Sequence, residues 1–81
     1  MTGTNSIAKT LKLTPQARRI LAHLLNGKRI TPMESLTVYG IYRLAARILE
    51  IRRAGYEVAT EMKQDAVGHK YASYTLALTA H

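Results

Sequence analysis

The chain has 81 residues, no cysteine and a formal net charge of +7 at pH 7, so it forms one domain at most and has neither a disulfide nor a thiolate metal site. No apolar run approaches the roughly 20 residues that a membrane-spanning helix needs, and the first residues lack the apolar segment of a secretory signal, so a cytoplasmic protein without membrane contact is expected. The positive charge favours acidic partners. It is unevenly distributed, because residues 1–55 hold ten cationic and two acidic residues (+8), whereas residues 56–81 hold two cationic and three acidic residues (−1).

The first predicted elements are an arm and a helix. Residues 1–12 mix small polar residues with two lysines and show no periodicity, so we expect a flexible basic arm there. Thr14 and Pro15 predict a helix start, since Thr supplies an N-cap oxygen and Pro suits the first helical position. The apolar face of this helix is Leu13, Ala17, Ile20, Leu21, Leu24 and Leu25. Asn26 and Gly27 predict its end.

A second, shorter helix is predicted through about Tyr39. Thr31 and Pro32 repeat the start signal, and Glu34, three residues after Thr31, predicts a capping box. The apolar contacts expected of this helix are Met33, Leu36 and Val38 or Tyr39. Residues 28–30, which precede it, are too few for more than an extended turn or a short piece of strand.

The third predicted helix covers residues 41–54, between Gly40 and Gly55. Its expected core face is Ile41, Leu44, Ala45, Ile48 and Ile51. Connections of only a few residues force the three helices to pack on one another.

After Gly55 the apolar period changes to two, which predicts a β-hairpin. The residues of its apolar face are Tyr56, Val58, Thr60 and Met62, then Ala72, Tyr74, Leu76 and Leu78. Asp65 and Gly68 suit the loop between the strands. Two strands are marginal alone, so they must lie on the helices. We therefore predict an α+β domain over residues 13–78 with a tail at 79–81, and residues 75–80 either complete the second strand or form a dimer contact.

This order of elements resembles the winged helix-turn-helix domain, in which a three-helix bundle precedes a hairpin wing. The Thr-Pro pairs that open two helices, then "YG", "RLAARI" and "AGY", are similar in particular to small helix-turn-helix proteins of phages and prophages, over residues 13 to about 76. The resemblance implies that the third helix enters the major groove of DNA, braced by the second, while the wing touches the flanking backbone or minor groove. The groove-facing residues that it implies are Tyr42, Arg43, Ala46, Arg47 and Glu50, and those of the wing tip are Lys63, Gln64, His69 and Lys70.

The arginines of the third helix support this interpretation independently. Positions 43, 47 and 50 share one helical stripe, and we expect Arg43 and Arg47 to point away from the core in parallel. The flat guanidinium fork matches guanine or a phosphate with two hydrogen bonds. The alternative is a solvated face on which Glu50 pairs with Arg47 or Arg53.

The remaining candidates have open alternatives. Basic residues expected to bind phosphates are Lys28, Arg29 and Arg53. Arg52 and Arg53 also suit the negative end of the helix dipole. Arg18 and Arg19 lie near the positive end of the first helix, so they either bind a partner or are exposed to solvent. Thr31 with the amides that follow it either holds a phosphate or only caps its helix. Lys9 and Lys12 either track a minor groove or have no specific contact.

No catalytic pattern is present in the sequence. The three histidines are not at metal-ligand spacing, and no nucleophile has a neighbouring base, so an enzyme, a metal and a cofactor are not expected. We predict a sequence-specific regulator from a phage or mobile element, which binds double-stranded DNA in the cytoplasm or nucleoid of its host. The alternatives are an adaptor or inhibitor that docks an acidic host protein, and an architectural DNA-binding protein; a homodimer stays open.

Overall fold

The computed structural model describes residues 13–77, which form three helices followed by two strands. The elements are α1 (Pro15–Leu25), α2 (Pro32–Tyr39), α3 (Leu44–Arg53), β1 (Val58–Gln64) and β2 (Lys70–Leu76). The predicted α+β order is confirmed. The arm predicted at residues 1–12 and the tail at residues 79–81 lie outside the described residues. Between residues 13 and 77, no helix is long and apolar enough to cross a membrane.

The two strands form an antiparallel hairpin whose paired residues run from Val58 with Leu76 to Gln64 with Lys70. Ile30 adds an isolated bridge on the other edge of β2, since its N–H donates to the Tyr74 carbonyl oxygen at 2.9 Å and its own oxygen accepts from the Tyr74 N–H at 2.8 Å. Of the two alternatives for residues 28–30, an extended turn or a short piece of strand, the bridge supports the short piece of strand. It ties the start of α2 to the hairpin.

The core lies between α1, α3 and the base of the hairpin. Its buried apolar residues are Leu13, Ala17, Ile20, Leu21, Leu24, Ile30, Ile41, Leu44, Ile48, Ile51 and Val58. Tyr39, Tyr74 and Leu76 are partly buried against it. Both N-caps form as predicted, because the Thr14 hydroxyl accepts from the Ala17 N–H and the Thr31 hydroxyl from the Glu34 N–H. The Glu34 carboxylate accepts no reciprocal bond from Thr31 within residues 13–77, so only half of the predicted capping box forms.

The second helix faces the core with different residues from those predicted. Met33 and Val38 are 70% and 63% exposed and Leu36 is also exposed, whereas Ser35 is fully buried. The Ser35 hydroxyl donates to the Ile41 carbonyl oxygen at 2.8 Å. Because Ser35 and Tyr39 are four residues apart, they share the inward stripe, and Met33 and Val38 lie on other sides of the helix.

Four more residues assigned to the apolar faces are exposed, namely Leu25, Ala45, Thr60 and Met62. Leu25 is the last residue of α1. Met62 lies toward the hairpin loop, whereas Val58, at the base of the hairpin, is buried against the helices. The apolar period therefore predicted the buried stripes of α1 and α3 but extended them too far, whereas the buried residue of β2 is Ser73, outside the predicted apolar face.

The third helix begins at Leu44 rather than at residue 41. Gly40, with a left-handed φ of 67°, ends α2, and the Ile41 N–H donates back to the Ser35 carbonyl oxygen at 3.0 Å. Since Ser35 holds both polar groups of Ile41, this residue closes α2 and cannot start the next helix. Tyr42 and Arg43 consequently lie in the turn, with Arg43 as the N-cap of α3.

Candidate nucleic-acid interface

The outward face of α3 is opposite its buried residues. Ala46, Leu49 and Arg53 are spaced i, i+3 and i+7 and so form one stripe. Arg53 is exposed, Leu49 is 46% exposed and Ala46 is half-buried. Tyr42, which precedes the helix, is 83% exposed on the same side of the domain, where Tyr42 and Ala46 line one shallow groove. We call Tyr42, Ala45, Ala46 and Leu49, with Arg43 and Arg53, the α3 face.

Arg43, one of the predicted groove-facing residues, is exposed. Its carbonyl oxygen accepts the first helical hydrogen bonds, from the Ala46 N–H at 3.1 Å and the Arg47 N–H at 3.3 Å. Its side chain is exposed and makes no hydrogen bond or ion pair with any residue between 13 and 77. A guanidinium with all its donors unused is available to an anionic partner.

Arg47 is held within the protein instead. Its side chain is only 23% exposed, and Nη1 lies 2.9 Å from Glu50 Oε2 and donates to the Thr14 hydroxyl at 3.3 Å. Its Nε is buried without a partner among the described residues. The predicted parallel, outward arrangement of Arg43 and Arg47 is therefore wrong. A contact of Arg47 with DNA stays a prediction.

The helical spacing explains why Arg47 turns inward. Arg47 follows Leu44 by three residues and precedes Ile51 by four, and both of these are buried. At 3.6 residues per turn, these offsets put position 47 beside the buried stripe, on the side that meets α1. The stripe of positions 43, 47 and 50 is thus next to the core stripe and not opposite to it.

Glu50 belongs to the same internal cluster. Its carboxylate accepts from the Thr14 N–H at 3.1 Å and from the Thr14 hydroxyl at 3.2 Å, besides its ion pair with Arg47. The Thr14 hydroxyl uses its one hydrogen and both lone pairs, on Glu50, Ala17 N–H and Arg47. The intrahelical ion pair between Arg47 and Glu50 was the alternative that the sequence left open, and it is present. A DNA contact of Glu50 stays a prediction.

The two arginines that end α3 have different surroundings. Arg52 donates to the Val58 carbonyl oxygen at 2.7 and 3.2 Å and to the Thr60 hydroxyl at 2.8 Å. It thereby fastens the helix to β1. Arg53 is exposed and, like Arg43, makes no hydrogen bond or ion pair with the described part of the chain.

Near the start of α2, Lys28 and Arg29 are exposed and Thr31 is half-buried. The Arg29 carbonyl oxygen accepts from Nε2 of His23, and the Tyr39 hydroxyl lies 2.8 Å from Nδ1 of the same ring. Because a carbonyl only accepts, the neutral ring carries its hydrogen on Nε2 and accepts from Tyr39. His23 is therefore a structural link between α1, α2 and this loop.

The hairpin tip is less basic than its lysines suggest. Lys63 lies 3.6 Å from Glu61, and His69 lies 3.6 Å from Asp65. Asp65 also accepts from the Val67 and His69 N–H groups and so shapes the loop. Gln64 donates to the Gly68 carbonyl oxygen, and Lys70 is exposed without an ion pair in residues 13–77.

The structure brings some of the predicted residues together. Thr31 and His69 line one groove of about 460 Å³ between the start of α2 and the hairpin loop, but Glu34 and Asp65 line it too, and these carboxylates repel phosphate. Tyr42, Arg43 and Ala46 line a second groove at the start of α3. Over residues 13–77, no three potential ligands are grouped where they could hold a metal ion.

Two residues of the α3 face are outside the set predicted to face the groove. The sequence places Ala45 on the core face, and no DNA contact is predicted for Leu49. Leu49 is out of phase with the buried Leu44, Ile48 and Ile51, and it follows Ala46 by three residues, so counting along the helix would have found it.

The comparisons with known proteins agree with this architecture. A protein-family model described as a winged helix-turn-helix domain matches residues 15–79. None of the curated proteins and none of the solved structures matches the chain. The predicted fold family is thus confirmed, whereas the likeness to phage and prophage proteins stays a prediction.

Proposed function

The chain belongs to the winged helix-turn-helix domain family, and from this premise we propose that it is a sequence-specific DNA-binding protein that inserts α3 into the major groove. The family suggests DNA binding as its general activity. The observation that carries the proposal is the exposed α3 face with Arg43 and Arg53, whose guanidinium groups have no partner in residues 13–77.

The groove-facing residues in this proposal are Tyr42, Arg43 and Ala46, together with Ala45 and Leu49. Arg53, Lys28 and Arg29 are exposed and contact phosphates, as does Lys70 on the hairpin. Thr31, at the start of α2, contacts a phosphate of the DNA backbone in this proposal. Lys63, Gln64 and His69 contribute less, because each has a partner within the hairpin.

Arg47 and Glu50 have a different role in this proposal. Through Thr14 they hold the start of α1 against α3, so they fix the angle at which the α3 face is presented. This replaces the base contacts that the sequence predicted for them.

The biological role that we propose is a small transcriptional regulator of a phage or mobile element, bound to DNA in the host cytoplasm or nucleoid. It blocks or recruits other machinery and needs no catalysis, metal or cofactor. The net charge of +7 supports a polyanionic partner.

Selection of bound duplexes from a random pool at moderate salt tests this function. We expect an enriched sequence of a few base pairs, and an affinity that falls with salt with a log–log slope of about −4 to −5 for roughly five phosphate contacts. A bound pool that stays random would indicate architectural binding. No retained duplex at low salt would contradict the proposal.

A second candidate is a protein contact, favoured by the exposed apolar residues of α2. Met33, Leu36 and Val38 are all exposed, and α2 carries neither lysine nor arginine. A surface of this kind is typical of a protein interface, which fits either a homodimer or a host protein. Sedimentation of the wild type and of a Met33→Asp variant tests the homodimer; a monomeric wild type at every concentration would exclude it.

A further inference from the structure

The α3 face is apolar in its middle and charged only at its ends. Ala45 and Leu49 are exposed, Ala46 is half-buried beside them, and Tyr42 precedes them. Arg43 lies just before the first residue of the helix, and Arg53 is its last residue. The ten residues of α3 span about 15 Å at 1.5 Å per residue, which is comparable with the ~12 Å width of the major groove.

Direct recognition of a guanine needs hydrogen-bond donors aimed at its O6 and N7 atoms. The arginine nearest the middle of α3 is Arg47, and its Nη1 is engaged with Glu50 and Thr14. The side chains that remain in the middle of the face, those of Ala45, Ala46 and Leu49, are purely aliphatic. In the major groove, the base-edge group that matches such side chains is the C5-methyl group of thymine.

We propose that the α3 face recognises thymine methyl groups, with Ala45, Ala46 and Leu49 as the contacting side chains. Arg43 precedes the helix, so in this assignment it binds a phosphate at one edge of the groove instead of a base, and Arg53 binds a phosphate at the other edge. This inference rests on the proposed function and specifies its ligand as a T-rich major-groove edge instead of a guanine.

Replacement of thymine by deoxyuridine in a selected duplex tests the inference directly, because it removes the methyl group and leaves base pairing intact. We expect the wild-type affinity to fall about fourfold for each contacted thymine, which corresponds to about 0.8 kcal/mol per buried carbon. Three such contacts would reduce the affinity by about 60-fold in total. The measurement is fluorescence anisotropy of the labelled duplexes at constant salt.

A pair of matched variants assigns the effect to the α3 face. Leu49→Ala removes the largest apolar side chain of the face, and we expect the ratio of thymine to deoxyuridine affinity to fall by about fourfold. Leu25→Ala is the control, since Leu25 is a leucine of similar exposure at the end of α1 (55% against 46%), and its ratio should equal that of the wild type. Thermal unfolding shows whether both variants remain folded.

The two possible failures are distinguishable. Equal affinity of the wild type for the thymine and deoxyuridine duplexes overturns the inference and leaves the proposed function intact. A loss on replacing guanine by 7-deazaguanine, without a loss on removing thymine methyl groups, also overturns it, because guanine N7 is then the group recognised. If the protein retains no duplex at all, the proposed function itself fails.

Discussion

Arg43 and Arg47 are four residues apart in the sequence, but they lie in opposite environments. Arg43 stands in the turn before α3 with an exposed, unpartnered guanidinium as far as residues 13–77 extend, whereas Arg47 is 23% exposed and bound to Glu50 and Thr14. The difference arises because α3 starts at Leu44, so a residue before it does not follow the helical stripe. A positive charge is therefore evidence for a DNA contact only once its distance from the core stripe is known.

The largest effect is expected from removing the two free guanidinium groups together. Arg43→Ala with Arg53→Ala should lower duplex affinity by about 3–6 kcal/mol, since a hydrogen bond to a charged phosphate is worth about 1.5–3 kcal/mol. The salt slope should become less steep by about 2. Fluorescence anisotropy with the selected duplex, over a series of salt concentrations, measures both quantities.

Removal of two charges elsewhere is the control for this double variant. Arg18→Ala with Arg19→Ala removes the same number of positive charges, but these two exposed residues belong to α1 and not to the α3 face. We expect a clearly smaller loss of affinity. Equal losses for the two double variants would mean that only the overall charge matters, and the contrast between Arg43 and Arg47 would then have no functional meaning.

The next largest effect concerns the anchored side of α3. Glu50→Ala should lower the free energy of unfolding by about 1–3 kcal/mol, because it leaves the partly buried guanidinium of Arg47 without its carboxylate partner. Urea denaturation measures the change, and Glu50→Gln, which retains one oxygen acceptor, should lose less. An unchanged denaturation midpoint for Glu50→Ala would show that the cluster does not stabilise the fold.

Arg47→Ala separates stabilisation of the fold from contact with DNA bases. It should lower the free energy of unfolding by about 1 kcal/mol through the loss of its hydrogen bonds and packing, but it should select the same duplex sequence as the wild type. Repeating the duplex selection with this variant is the measurement. A different preferred base at any position would place Arg47 in the groove and reverse the comparison with Arg43.

Much of the fold can be predicted from short sequence patterns. Thr14 and Thr31 cap their helices because a hydroxyl one residue before the first turn meets a free N–H. The change of period after Gly55 predicts the hairpin. Each of these features depends on residues within one element or its neighbour.

The candidate site was harder to predict because it depends on contacts between distant residues. Glu50 binds Thr14, which is 36 residues earlier in the chain, and no local pattern indicates that pairing. The exposure of Met33 and Val38 depends likewise on Ser35 facing the core. The inward turn of Arg47 is different, since its offsets from Leu44 and Ile51 were available from the sequence.

The smallest effect, and the last way to test the comparison, is at the turn that places Arg43. Gly40 has a left-handed φ of 67°, and a Cβ built there meets nothing within 4 Å, so the cost of Gly40→Ala is backbone strain alone. That strain is about 1–2 kcal/mol, and the less flexible unfolded chain offsets about 0.4–1 kcal/mol of it. A net loss of about 0.5–1 kcal/mol in the free energy of unfolding is expected from urea denaturation.

Gly40→Asn is the matched variant, because asparagine adopts the left-handed conformation more readily than alanine. It should be more stable than Gly40→Ala and should bind the duplex as the wild type does. If the turn sets the position of Arg43, Gly40→Ala should lose affinity as well as stability, whereas Gly40→Asn should lose little of either. Full duplex affinity in a measurably destabilised Gly40→Ala variant would instead mean that Arg43 reaches the DNA from more than one backbone conformation. The lack of partners for its guanidinium within residues 13–77, and not the position set by the turn, would then be what distinguishes Arg43 from Arg47.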